Sequence, residues 1–172
     1  EITTEFPESS LAASLKMVSK MISIREGLGT KRQIFFVGSG GWDTHGNQLT
    51  DHAHKLGQLN GALSSFYETT EELNVADSVT TFTASDFSRT MTINGDGTDH
   101  AWAGHQIVMG GAGKGGQIHG EPMDLTVDGP QDAQDTGRFI PKYSVDQYGA
   151  TFAKWMGMTD SDMLEIFPNL SS

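Results

Sequence analysis

The stretch "QIFFVGSGGWDTHGNQ", residues 33–48, decides how the chain reads. A short apolar run, "QIFFV", ends in glycines and hands over to a polar loop carrying Asp43 and His45. Such a run closed by glycine reads as a buried strand. From about Asn47 to Asn74, Leu49, Leu56, Leu59, Leu63 and Phe66 recur at intervals of three, four or seven, which predicts a long amphipathic helix. "SVTTFTAS" (78–85) and "HQIVMGG" (105–111) read as further strands, each running into polar or glycine-rich chain. A strand, a helix of this length and another strand predict a right-handed parallel crossover. The expected fold is therefore α/β with a mainly parallel sheet, in a single domain spanning residues 1–172.

The flanks complete this outline. "SLAASLKMVSKMISIRE" (10–26) puts Leu11, Leu15, Val18 and Ile22 on one helical stripe, with Ser9 or Ser10 as N-cap, and "GLGT" stops it. After residue 111 the chain becomes rich in Gly, Asp and Pro, with one short strand expected at "MDLTV" (123–127). A last helix, "SVDQYGATFAKWMG", carries Tyr148, Phe152 and Trp155, with Ser144 as cap. The tail "MLEIFPNL" reads as an apolar turn packing back.

Composition narrows the function. The 172 residues carry 11 Lys and Arg against 22 Asp and Glu, a net charge of −11, which argues against a nucleic-acid backbone as partner. With no cysteine, any metal must be held by His, Asp, Glu, carbonyls or water. No segment approaches a membrane-spanning length, so no membrane insertion is expected. The start "EITTEFPESS" carries neither an initiator Met nor a signal peptide, as a fragment or processed form would.

In an open α/β sheet, ligands gather beyond the carboxyl ends of the strands. The strand ends expected here deliver Asp43 with His45, then Asp86 with Arg89, and the loop "NGDGTDHAWAG" delivers Asp96, Asp99 and His100. Asp43 and His45 point to one side of an extended segment. Two Asp and two His arriving from different loops form an oxygen-and-imidazole set suited to zinc, manganese or a similar divalent ion. The competing reading has Asp43 or Thr44 capping the following helix. His52 and His54 read as solvent-facing, and His105 and His119 as structural. Arg89 pairs with Asp86 or clamps an anionic substrate. Trp102 shields the site or anchors the core. "GGAGKGG" (110–116) lacks Walker spacing, and no Gly-x-Ser-x-Gly elbow is present.

Taken in order, "GGWDTHGNQ", "FTASDFSRT", "GTDHAWAG", "VMGG…KGGQIHGEP", "DTGRFIP" and "YGATFAKWMG…IFPNL" resemble the C-terminal half of the bacterial DUF1501 family, from about residue 33 to 170. That family is grouped with the alkaline phosphatase-like superfamily of phosphatases, sulfatases and phosphoglycerate mutases. The resemblance implies a three-layer α/β/α sandwich, of which this chain is the C-terminal part. It implies a metal-dependent hydrolase of phosphate or sulfate esters acting on a small anionic ester. It also implies an extracytoplasmic location, periplasmic or secreted. Asp43, His45, Asp86 and His100 would hold one or two divalent ions (zinc, manganese or calcium), and Arg89 would balance developing negative charge. The chain departs from the family where Asp86-Phe87-Ser88-Arg89 stands in place of the common Glu-Phe-Gly-Arg, and where Ala101 replaces a frequent Gly. The superfamily's nucleophilic Ser or Thr lies in an N-terminal half outside this sequence. A non-catalytic binding protein retaining the fold is the alternative, and a hydrogen-bonded loop network the plainest one.

Overall fold

A computed structural model describes residues 1–171. Ser9 opens the first helix, α1 (Ser10–Ser23), its hydroxyl accepting from the Ala12 amide. Ala12, Leu15, Ser19 and Ile22 are its buried positions, spaced for one helical face. A single turn, α2 (Arg25–Leu28), follows and ends at Gly29, whose φ of 65° a residue with a side chain adopts only under strain.

The long helix α3 (Gln48–Glu72) packs along α1. Ala62 and Phe66 meet Ala12, Leu15 and Ile22, with Val75 closing the cluster. The two largest fully buried side chains, Ser19 and Thr69, are polar, yet neither hydroxyl is orphaned. Each donates to the carbonyl four residues back, at Leu15 and Ser65. The N-terminal segment is tied to the far end of α3, where the Glu72 carboxylate accepts from the amides and hydroxyls of both Thr3 and Thr4.

The β structure differs from the expected sheet. β1 (Thr81–Phe82) pairs antiparallel with β4 (Val108–Met109), and β2 (Ser88–Asn94) pairs antiparallel with β3 (Gly97–Ala101). Among the described residues there is no parallel sheet, so the three-layer α/β/α sandwich is not formed. The reason lies in where the apolar surface goes. The α3 stripe is buried against α1 instead of covering a sheet, and only from Ala62 onward, since Leu49 is 90% exposed. "QIFFV" is extended but joins no strand, leaving Ile34 and Phe36 85% and 95% exposed, and without that first strand no parallel crossover exists. No strand forms at 123–127 either; the excursion is pinned by an isolated bridge between Asp132 and Phe139.

The hairpin β2–β3 occupies the stretch read as a polar loop. Its turn is Gly95-Asp96, between the paired Asn94 and Gly97, with Gly95 at φ 70°. That positive φ is what a type II′ hairpin turn asks of its first central residue.

The C-terminal elements follow expectation more closely. α4 (Val145–Trp155) starts with a full capping box between Ser144 and Gln147. The tail forms α5 (Asp160–Ile166), capped by Thr159, and a 3-10 turn over Pro168–Ser171. Phe82 stacks on Phe152 at 3.9 Å, and the Tyr148 hydroxyl donates to the Thr83 carbonyl, so α4 is fastened to β1. Desolvation there pushes the Tyr148 phenol up to about 12. Among the described residues no helix is long and apolar enough to cross a membrane.

Candidate functional site

The hairpin and the 43–48 loop are built into one another. The Thr98 amide donates to the Thr44 carbonyl, and the Gln48 amide, first in α3, donates to the Asp96 carbonyl in the hairpin turn. Thr98 Oγ1 donates to Gln48 Oε1. Neither Asp43 nor Thr44 caps α3; Asn47, at φ 53°, holds the N-cap position and its side-chain Nδ2 donates to Asp51 Oδ1. The loop therefore serves to carry Asp43 and His45 to the hairpin, not to start the helix.

Arg89 and His100 are direct cross-strand partners, which sets their side chains on the same face of the ladder. That face meets Asp43. Arg89 Nη1 lies 2.8 Å, His100 Nε2 2.8 Å and His45 Nε2 2.9 Å from the same oxygen, Asp43 Oδ1. The two Nε2 atoms stand 3.2 Å apart. Arg89 is the best-shielded member, its side chain 16% exposed against 54% for Asp43. Its guanidinium also donates to the carbonyl and hydroxyl of Thr98. The His100 hydrogen bond holds the Asp43 carboxyl below its ordinary range, and the Arg89 contact and both imidazoles add to this against the opposing effect of desolvation.

A surrounding layer fixes these groups. His45 Nδ1 faces Asp99 Oδ1 at 3.5 Å. Asp99 is held ionised first by the Asn94 side-chain amide and then by the charges of His45, Arg138 and Arg89. The Phe87 ring stacks on His100 with centroids 4.0 Å apart. Arg138 Nε donates to the His100 carbonyl, and Arg138 is in turn placed by the loop organised around Asp132. Four backbone amides, those of Asp128, Gln134, Gly137 and Arg138, point at the Asp132 carboxylate. Partial desolvation works to raise its pKa, but these donors prevail and lower it to about 2.

Among the described residues, Asp43, His45 and His100 are the His and acidic residues whose ligand atoms converge, all within 4.8 Å of one another. Asp86 stands outside that group, exposed in the bend before β2. Arg89 pairs with Asp43 and not with Asp86. Trp102 is 55% exposed and anchors no core. His52 and His54 are solvent-facing as expected, although the His52 ring meets Trp42 edge-on. From the sequence Thr98 has no part in the site, Asp99 is only one of several loop carboxylates, and Phe87 and Arg138 have no role. The turn "NGDG" was the signal that could have found the first two, because a hairpin there puts Arg89 opposite His100.

The donor set suits a cation. Ligands about 2.0–2.1 Å from a tetrahedral ion lie about 3.3 Å apart, close to the 3.2 Å between the two Nε2 atoms, while their 2.8 and 2.9 Å distances to Asp43 Oδ1 are hydrogen-bond lengths. Two imidazoles and one carboxylate match zinc or manganese better than calcium, which takes six or more oxygens.

The site is thus a histidine-carboxylate cluster clamped between a helix-leading loop and a β-hairpin. The chain belongs to the family described as "Protein of unknown function (DUF1501)", which matches residues 5–157. The match takes in α1, ahead of the expected start near residue 33, and stops short of "IFPNL". No curated protein and no solved structure matches the chain.

Proposed function

We propose that Asp43, His45 and His100 bind a divalent cation of the zinc or manganese type, and that the site serves hydrolysis of a small phosphate or sulfate ester. The observation that carries this reading is that both Nε2 atoms face one carboxylate oxygen while standing 3.2 Å apart. With protons on both Nε2 atoms the two N–H groups would oppose each other; a cation accepting both lone pairs relieves this, as does a single proton held between the rings. Such an ion would polarise an ester oxygen and lower the pKa of bound water. Asp99 orients His45 through Nδ1, as the outer partner of a metal-bound imidazole does. Arg89 holds Asp43 and keeps positive charge beside a site in an otherwise acidic protein.

The alkaline phosphatase-like relationship and the extracytoplasmic location remain part of the proposal, supported by sequence resemblance and not by the observed topology. No residue of the chain is assigned as nucleophile. The proposed activity accordingly rests on water or on a group supplied from beyond residues 1–172.

A second reading is favoured by the Arg89–Asp43 ion pair, which satisfies the carboxylate without any ion. In that reading the cluster is a hydrogen-bonded network joining loop to hairpin. Metal analysis of purified protein beside the His45→Ala/His100→Ala variant separates the two. Near-stoichiometric zinc or manganese lost in a variant that keeps its circular dichroism supports the metal site. A metal-free wild type after incubation with excess zinc and manganese leaves the network.

A further inference from the structure

The glycine run ahead of Asp43 is not absorbed by the metal cluster, and its surroundings are unusual. Lys55, on α3, lies half-buried with its ammonium against Gly41; a β-carbon on that glycine would stand 2.8 Å from Lys55 Nζ. Gly41 has a φ of 84°, so both its conformation and its neighbour require the missing side chain. Among the described residues Lys55 makes no hydrogen bond or ion pair, in a protein with twice as many acidic as basic residues. Its ammonium is unmatched by any carboxylate yet still reaches solvent, so it is free to meet an anion from outside the protein.

The loop supplies the other half of such a site. None of the amides from Gly38 to Trp42 donates within the described structure. Space beside Gly38 and Gly40 is open, with no atom within 4 Å of a β-carbon built on either. Successive free amides in a glycine-rich loop are a recurring way of cradling an oxyanion. The loop is held against α3 by the Trp42–His52 ring contact, and His52 and Lys55 share a helix face. Only Trp42 separates Gly41 from Asp43, two residue steps with a reach of at most about 7 Å.

We infer that the Gly38–Trp42 amides and Lys55 form a subsite for a tetrahedral oxyanion, the phosphoryl or sulfuryl group of the substrate, beside the Asp43–His45–His100 cluster. This rests on the metal-site reading for its catalytic meaning, but the anion site itself can be read separately.

The test is titration of ¹⁵N-labelled protein with inorganic phosphate and, in a separate arm, inorganic sulfate. Each arm is run metal-free and with zinc, on wild type, Lys55→Met and Lys55→Arg. Zinc affinity is measured first on all three and is expected to be equal. Anion-dependent shifts are expected at the amides of residues 38–42, weakened about tenfold in Lys55→Met and largely restored in Lys55→Arg. The arm with the stronger shifts identifies the ester class. Equal anion binding by wild type and Lys55→Met, or shifts confined to other amides, overturns the subsite while leaving the metal reading intact. Failure to bind zinc overturns the metal reading alone. The metal-free arms then decide the subsite, which stands on Lys55-dependent shifts at residues 38–42 and falls without them.

Discussion

The α-carbon of Gly97 rests on the main chain of His45, so close that any β-carbon there would collide with the His45 carbonyl. Gly97 opens β3 and His45 lies in the loop that carries Asp43, so this contact sets how near the hairpin comes to the cluster. Gly97→Ala must push loop and hairpin apart. We expect a loss of about 1–3 kcal/mol in urea unfolding, the range for overpacking, together with loss of zinc binding. Zinc affinity equal to wild type would show that the close approach does not position the site.

Asp99 offers a subtler test. Its carboxylate faces the outer nitrogen of His45 without belonging to the converging set. Asp99→Asn should keep the fold and weaken zinc affinity by about tenfold, as loss of an outer-shell partner does. An unchanged affinity would mean that His45 is oriented by its backbone alone.

The core lies apart from this chemistry and should respond differently. Phe66 is 3% exposed between α1 and α3. Phe66→Ala is expected to cost about 3–5 kcal/mol, read as a lower urea midpoint. A change below about 1 kcal/mol would move the stabilising core away from the helix pair.

Acid should release the N-terminus before it unfolds the helices. The Thr4 hydroxyl, then the Thr3 and Thr4 amides, lower the Glu72 pKa from 4.5 to about 2. A depressed folded pKa gives stability that is present above the unfolded value and lost as pH falls through the folded one. The Thr3 and Thr4 amide resonances should therefore hold their folded positions above pH 4.5 and move to unfolded ones as the pH falls towards about 2. In Glu72→Gln this titration should vanish. A transition of the same midpoint in that variant would assign it to another group.

How much of this was legible in the sequence depends on the range of the interaction. α1, α3 and α4 were readable because caps and apolar spacing are local: Ser9 and Ser144 cap as expected. "QIFFV" misled because an apolar run states a preference for burial without naming a partner, and here Val37 packs on the core while Ile34 and Phe36 face out. Asp43, His45, Arg89 and His100 do come together, but not for the reason the sequence suggests. No parallel strand ends deliver them; a loop and an antiparallel hairpin do. Residues two apart in extended chain, and residues facing each other across a ladder, converge equally well in either arrangement. Asp86 suits the strand end of a parallel sheet that is not formed, and it stands outside the converging set.

The bared segment around Ile34 and Phe36 has a colloidal consequence. An extended apolar stretch without a neighbouring strand is a template for edge-to-edge association between copies. Nothing within "QIFFV" interrupts it, and the flanking Lys31 and Arg32 lie on one side only. What opposes association is the repulsion between molecules that each carry a charge of −11. That repulsion reaches about 30 Å in 0.01 M salt and only about 8 Å in 0.15 M salt. Raising the ionic strength is therefore expected to favour self-association, and dilute buffer to oppose it.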